Sequence, residues 1–150
     1  SDRLAGGSGD DTFLYSADAE INGDTVLGGA GSGDTIELDT AGSYDFGNFL
    51  NQSSGIEKLL LSDNGSYNVT VSNDLVGSTG QLEISASNTS ADSTIDASAY
   101  SSSDAVLLNA SGFTGSDSFI AGSGDDTLSY DANYSVGGTA NFGFSFVNSL

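Results

Sequence analysis

The feature that most constrains the fold of this chain is a nine-residue glycine–aspartate pattern near its beginning. Residues Gly6 to Leu14 read Gly-Gly-Ser-Gly-Asp-Asp-Thr-Phe-Leu and match G-G-x-G-x-D-x-U-x, where U is a large apolar residue, at every specified position. The glycines allow positive-φ turns that direct successive carbonyl groups into one concavity. The segment after Asp11 is predicted to leave the turn as a short strand, with Phe13 pointing inward.

The same unit recurs along the chain, which indicates a stacked repeat. Gly112–Ile120 and Ala121–Ser129 are two abutting nine-residue units that keep the Asp and the apolar position but lack one glycine of the opening pair. Ala19–Glu37 reads as two further units if one extra residue, Gly33, is inserted. Looser units of similar length fill the middle of the chain. Such short, recurring strand-and-turn units are what a β-solenoid with two strands per coil requires.

The remaining sequence also favours strands. Apolar patches at Ile56–Leu61, Val69–Val71 and Leu82–Ile84 have strand length and are each followed by turn-forming residues. Asp39–Ser54 is the least repetitive stretch and is predicted to be an excursion or a short helix, whereas Ala140–Val147 is predicted to end the solenoid or pair with a neighbouring module. We therefore expect one all-β module over residues 1–150, with regular coils near 5–38 and 97–130.

Charge and composition narrow the class of protein further. The chain has a formal charge of −19, because 21 acidic residues face only two basic ones, and such an excess repels nucleic acid. It also opposes compaction unless bound cations offset it. The chain contains no Cys or His, which excludes disulfides and conventional zinc sites. A cage of carbonyl and carboxylate oxygens suits calcium, a hard cation with six to eight oxygen ligands.

The beginning of the chain shows no signal peptide, whereas its aromatic end resembles the loosely defined C-terminal signals of type I export. No apolar run approaches the roughly 18 residues of a membrane-spanning helix, and the chain opens on Ser1-Asp2-Arg3 without an apolar leader segment. Since the repeat pattern begins almost at residue 5, we expect the chain to be a module of a longer protein.

These nonapeptides resemble those of the RTX (repeats-in-toxin) family, whose units stack into a calcium-filled parallel β-roll. The resemblance implies a right-handed parallel β-roll or β-helix solenoid with Ca²⁺ bound between neighbouring turns. Asp11 and Asp34 are then the best pair, with Gly7 and Gly9 as carbonyl donors. The full set of candidate metal ligands is Gly7, Gly9, Asp11, Asp24, Gly29, Gly31, Asp34, Asp104, Gly115, Asp117, Gly124 and Asp126.

The alternation of units between two sheets predicts which turns are neighbours. Turns two units apart share an edge, so the turn Gly6–Asp11 is expected beside Gly28–Asp34, with the Asp24 turn on the opposite edge. The Asp126 turn is expected beside the Asp104 turn. Serines replace glycines in the Asp104 turn, so a weaker ion or none is expected there.

The residue inventory argues against catalysis. Without His or Cys there is no conventional nucleophile–base pair, and the only basic residues, Arg3 and Lys58, lie far apart in the sequence. A carboxylate pair for glycoside hydrolysis is not excluded by number, but nearly all carboxylates belong to turn motifs. We therefore do not expect an enzyme.

Two non-catalytic roles remain open. The first is a calcium-binding structural module of a secreted bacterial cell-surface protein, a surface-layer protein or adhesin. It would self-associate or contact flanking modules of the same protein, and cell-surface polysaccharide is a further candidate partner. The second is the C-terminal, calcium-folded export module of a type I secreted enzyme such as a serralysin-like protease, a lipase or an epimerase. The Ser/Thr/Asn-rich middle section favours the first.

Overall fold

The computed structural model describes residues 2–21, 23–46, 55–71, 75, 80–100 and 105–129, and within these ranges nearly all regular structure is β-strand. One short helix, α1 (Asp18–Ile21), and one 3₁₀ turn (Ala110–Gly112) interrupt the strands. The strands are β1 (Arg3–Ser8), β2 (Thr12–Tyr15), β3 (Thr25–Ala30), β4 (Thr35–Leu38), β5 (Ser43–Asp45), β6 (Lys58–Leu61), β7 (Asn68–Thr70), β8 (Gln81–Ala86), β9 (Thr94–Asp96), β10 (Ala105–Asn109), β11 (Ser118–Ile120) and β12 (Thr127–Ser129).

These strands stack into parallel sheets that wind as a solenoid. The first sheet pairs β1 with β3, the second has the order β12-β10-β8-β6-β4-β2, and the third has the order β11-β9-β7-β5. Every pair of neighbouring strands is parallel. Along the second sheet one column of apolar residues lies in register: Phe13, Ile36, Leu59, Ile84, Leu108 and Leu128. Each coil therefore adds one strand to this sheet.

The core lies between the sheets and follows from the alternation of side chains along each strand. In β4, Ile36 and Leu38 are fully buried, whereas Thr35 and Glu37 are only half-buried. Phe13 is buried as predicted. An aromatic pair extends the core beside the third sheet, where Phe119 of β11 packs edge-to-face on Phe113, which follows the 3₁₀ turn, with ring centroids 5.3 Å apart. Such pairs add about 0.5–1.5 kcal/mol beyond the burial of their area.

The predicted all-β parallel solenoid is confirmed, as are the strands expected from the three apolar patches, which appear as β6, β7 and β8. Part of the stretch Asp39–Ser54 belongs to the solenoid, because β5 pairs in parallel with β7. Residues 47–54 and the segment Ala140–Val147 lie outside the described residues. No helix in the described ranges is long and apolar enough to cross a bilayer.

The arrangement of strands within a coil differs in one respect from the sequence expectation. Two strands per coil were expected, but the second coil contributes β3, β4 and β5 to three different sheets. The reason is the length of the coil. Stacked partners such as Arg3 with Thr25, or Asn68 with Thr94, lie farther apart in the sequence than two nonapeptides. The additional residues accommodate α1 and a third corner.

Candidate metal centre

The carboxylates of the repeats occupy the position immediately before a strand, which we call the strand-leading position. At this position on the second sheet, the amide of Asp11 donates to Asp34 Oδ1 at 2.8 Å, and the amide of Asp34 donates to Glu57 Oε2 at 3.0 Å. A carboxylate of one coil thus accepts the backbone N–H of the equivalent residue one coil earlier. A hydrogen bond to a charged group contributes about 1.5–3 kcal/mol, so these partly buried contacts stabilise the stacking of coils.

The same contact recurs at all three sheets. On the first sheet the amide of Asp2 donates to Asp24 Oδ1 at 2.6 Å. On the third sheet the amide of Ser93 donates to Asp117 Oδ1 at 2.8 Å. At the far end of the second sheet the amide of Val106 donates to Asp126 Oδ1 at 2.9 Å. The Asp residues that recur at fixed positions in the sequence therefore have a structural role. One oxygen of each carboxylate accepts a backbone amide of the preceding coil and so caps that coil.

The second oxygen of several of these carboxylates remains available. Oδ2 of Asp11, of Asp34 and of Asp117 is buried and has no hydrogen-bond partner within the described part of the chain. The Asp34 side chain is 0% exposed, so bulk water does not replace that partner. A buried carboxylate oxygen without a donor is costly unless a cation or a proton satisfies it.

The glycine turns that precede two of these carboxylates are stacked on each other. Gly7 lies in register with Gly29, and the amide of Gly9 donates to the carbonyl of Ala30 at 2.9 Å. The expected adjacency of the turns Gly6–Asp11 and Gly28–Asp34 is therefore found.

The one extra residue of the second turn can be located from the pairing of the strands. Ser8 pairs with Ala30, whereas Thr12 pairs with Thr35, so the second coil holds one more residue than the first between these two pairs. Gly33, the predicted insertion, lies in that interval.

Carbonyl and carboxylate oxygens lie close together between these two turns, at a place that we call the recess beside Asp34. A β-carbon at Gly31 would collide with the carbonyl oxygen of Gly9 and lie 3.2 Å from Asp34 Oδ2. A β-carbon at Gly28 would collide with the carbonyl oxygen of Gly55 and would lie 2.6 Å from the same Oδ2. The Gly9 carbonyl oxygen and Asp34 Oδ2 thus both lie close to Gly31, where the backbone leaves no room for a side chain.

The donor set of this recess fits a hard cation, although the number of charged ligands is small. Its oxygens are of the types that calcium prefers. Within the described ranges no three or more His, Cys, Asp or Glu side chains converge on a common point. Backbone carbonyls and water would therefore have to supply most of the ligands of an ion bound beside Asp34.

The predicted carbonyl donors divide into two groups by backbone conformation. Gly7, Gly9 and Gly29 have φ values of 105°, 105° and 118°, in the left-handed region that favours glycine. Gly31, Gly115 and Gly124 are not among the positive-φ glycines of the structure. The turn geometry expected from the nonapeptide is therefore present near the beginning of the chain. The two later units, which each lack one of the opening glycines, do not reproduce it.

The remaining predicted ligands lie at separate corners. Asp24 is 4% exposed and leads β3 on the first sheet, away from the column of Asp11 and Asp34. Val106 rather than Asp104 is in register with Asp126, because Leu107 pairs with Thr127. Asp104 itself lies outside the described residues.

Sequence reasoning missed Glu57 and Ser93, which do not belong to nonapeptides. Glu57 continues the column of Asp11 and Asp34, and Ser93 Oγ accepts the amide of Tyr67 at 3.1 Å. The signal that identifies Glu57 is an acidic residue two positions before an inward apolar residue, Leu59, which pairs with Ile36.

Burial raises the pKa of Asp117, and the charge of Asp92 adds to the shift, while hydrogen bonds from the amides of Ser93 and Gly115 oppose it. A raised pKa means that the folded state holds the proton more tightly than the unfolded state does. The contribution of this group to stability is then largest at low pH and is lost as the pH rises through the folded pKa.

We expect Asp117→Asn to be more stable than the unchanged chain at neutral pH in chelator, because Asn removes a buried charge and keeps an oxygen for the Ser93 amide. The difference should disappear as the pH falls below the ordinary Asp pKa of 3.8. Thermal unfolding across pH measures it. Asp63→Asn is the matched control and should instead lower the stability at neutral pH. Hydrogen bonds from backbone amides, the largest from Ala41, lower the pKa of Asp63 and so stabilise its charged form. A neutral-pH loss of stability in Asp117→Asn would contradict this account.

Comparisons of the chain with protein-family models, with curated proteins and with solved structures found no match. The parallel β-solenoid is shown by the pairing of the strands. Because no comparison matches, membership of the RTX family is a proposal.

Proposed function

We propose that this chain is a calcium-binding structural module of a secreted bacterial cell-surface protein, a surface-layer protein or an adhesin of RTX type. In this proposal calcium completes the fold, and the folded module works by association with copies or flanking modules of its own protein. The observation that carries the proposal is the buried, unpartnered Oδ2 of Asp34 beside the Gly9 carbonyl.

The charge of the chain supports a cation rather than a proton at these oxygens. At −19, with only two basic residues, the folded chain concentrates repulsion that bound divalent ions would relieve. Asp34 would contribute a carboxylate oxygen and Gly9 a carbonyl, and Asp11 would contribute to the same column. An ion held there adds its binding free energy to the stability of the stacked coils.

The architecture supports a structural role. Stacked coils leave strand backbone at the two ends of a solenoid, which other coils or subunits can cover. Contacts between such acidic ends are repulsive until cations neutralise the carboxylates. Assembly would then depend on the calcium concentration outside the cell.

Light scattering during a calcium titration tests this function. The scattering mass should rise reversibly with calcium and fall again on chelation. Magnesium at the same concentration should have a smaller effect, because it demands near-ideal octahedral geometry and dehydrates reluctantly. Sodium chloride at matched ionic strength controls for screening. A protein that stays monomeric at saturating calcium would count against the assembly role and favour the export module of a secreted enzyme.

A further inference from the structure

The corner between β6 and β7 contains an asparagine that is followed directly by glycine, Asn64-Gly65. Asn64 is exposed, and the residues around it form neither strand nor helix. A β-carbon at Gly65 would collide with the β-carbon of Ala41 in the preceding coil, so the stacking of the coils excludes a side chain at this position. The backbone nitrogen of Gly65 therefore has no β-carbon beside it that would hinder its approach to the side-chain amide of Asn64.

A backbone nitrogen in this position can attack the side-chain carbonyl carbon of the asparagine before it. Attack of the Gly65 nitrogen on Cγ of Asn64 forms a C–N bond and closes a succinimide ring. The bond from Cγ to the side-chain nitrogen breaks, and the hydrogen lost by the Gly65 amide leaves within ammonia. Water then opens the ring at either carbonyl carbon and leaves an aspartyl or an isoaspartyl residue at position 64. Because both reacting groups belong to one short segment, the only co-reactant is water.

The nitrogen that attacks is held by the carboxylate of Asp63. This carboxylate accepts hydrogen bonds from the backbone amides of Ala41, at 3.1 Å, of Asn64, at 2.6 Å, and of Gly65. The same hydrogen bonds lower the pKa of Asp63, so its carboxylate is ionised at neutral pH. An N–H group lies in the plane of its amide. A carboxylate that accepts it increases the electron density on nitrogen and leaves the face of the amide open to Cγ.

The carbonyl group that is attacked is polarised by a residue of the next coil. The hydroxyl of Ser90 donates to Oδ1 of Asn64 at 2.7 Å. The amide of Ser90 donates to the backbone carbonyl of Asn64 at 3.3 Å and holds the two coils together at this corner. Negative charge develops on Oδ1 when the nitrogen attacks Cγ, and a donor that is already directed at this oxygen stabilises that charge.

We propose that Asn64 is a self-modification site, at which the Gly65 nitrogen displaces the side-chain amide with Asp63 and Ser90 as catalytic residues. Asp63 touches the attacking nitrogen, and Ser90 touches the oxygen on which charge develops. The product places a further carboxylate beside Asp63 at an exposed corner. The isoaspartyl form also adds one carbon to the backbone, which should weaken the contact between Asn64 and Ser90. The reaction uses only protein groups and water, so this inference does not depend on calcium binding.

Peptide mapping by mass spectrometry, after incubation of the full chain at mildly alkaline pH, tests the proposal. Fragment spectra assign the replacement of NH₂ by OH to a residue and distinguish aspartyl from isoaspartyl products. Asn68 and Asn88 are the internal controls, because both are exposed but are followed by Val69 and Thr89 rather than by glycine. Asn64 should be modified many-fold faster than either control. An unmodified Asn64, or equal rates at the three residues, would overturn the proposal.

Substitutions of the two assisting residues separate catalysis from simple exposure. Ser90→Ala removes the donor to Oδ1, and Asp63→Ser removes the charge that holds the Gly65 amide. Each should slow the modification of Asn64 several-fold, with circular dichroism confirming the fold. A merely structural role has the opposite sign, because the loss of a contact loosens the corner and exposes Asn64 further. An unchanged or faster modification in both variants would therefore also overturn the proposal.

Ser62→Ala is the matched control for Ser90→Ala. The hydroxyl of Ser62 makes a comparable contact between coils, since it donates to the backbone carbonyl of Leu38 at 3.3 Å. Removing it should leave the rate at Asn64 unchanged. Equal slowing in Ser62→Ala and Ser90→Ala would show that any lost contact between coils has this effect, and would contradict a catalytic role of Ser90.

Discussion

Adding calcium to the chelated chain is expected to raise its melting temperature strongly. An ion that binds only the folded state contributes about 4 kcal/mol when its free concentration is about 1,000 times its Kd. For a domain of this size that corresponds to a shift of about 10 °C for each occupied site. Differential scanning calorimetry in chelator and then in a calcium series measures the shift.

The controls for this shift follow from the chemistry of the site. Sodium chloride of equal ionic strength relieves repulsion among the carboxylates without occupying the recess beside Asp34, so it should account for only a small part of the effect. The shift should also increase with the logarithm of the calcium concentration once binding is saturated. Identical melting temperatures in chelator and in millimolar calcium would contradict calcium-coupled stability.

Substitutions at Asp34 are expected to separate its two roles. In chelator, Asp34→Ala should lose about 1–3 kcal/mol, because the partly buried amide of Asp11 loses its charged acceptor. Asp34→Asn keeps an oxygen for that amide and removes the charge of the unpartnered buried carboxylate, so in chelator it should be at least as stable as the unchanged chain. In calcium, both variants should lose most of the stabilisation that the ion supplies beside Gly9. Chemical unfolding in chelator and in calcium measures the free energy of unfolding of each variant, and the unchanged chain is the reference.

Asp63→Asn is the matched control for the calcium arm of this experiment. Asp63 lies outside the nonapeptides and accepts the amide of Ala41 at 3.1 Å. Its substitution should lower stability in chelator while leaving the calcium increment intact. If the three variants keep the same calcium increment, Asp34 is not a ligand, and its carboxylate serves only to cap the preceding coil.

Much of the site geometry could be predicted from the nonapeptides. A glycine pair followed by Asp and an apolar residue predicts a turn, and it predicts which side chains of the next strand point into the core. This alternation accounts for the burial of Phe13 and Ile36. The repeated turn accounts for the stacking of Gly7 on Gly29. The extra residue before Thr35 could also be located, because Asp34-Thr35-Ile36 repeats the order of Asp11-Thr12-Phe13.

Which residues of neighbouring coils lie in register depends on the length of each coil, and a short motif does not determine that length. Glu57 joins the column of Asp11 and Asp34 only because the coil between β4 and β6 is as long as the coil between β2 and β4. The pairing of Asp126 with Val106 has the same origin, since it follows from the register of β10 and β12.

The role of Oδ1 as an acceptor for the preceding coil was also missed. Spacing alone indicates that two carboxylates such as those of Asp11 and Asp34 are neighbours. It does not indicate that Oδ1 of Asp34 already accepts the Asp11 amide, so that Oδ2 is the oxygen without a protein partner in the described structure.

The most direct test of a calcium-bound solenoid is a crystal structure at saturating calcium, with the ion located by anomalous scattering. We expect a peak between the first two coils, about 2.3–2.6 Å from Asp34 Oδ2 and from the carbonyl oxygen of Gly9. A map with no peak there, and with Asp34 Oδ2 bonded to a water or to a protein donor, would contradict it.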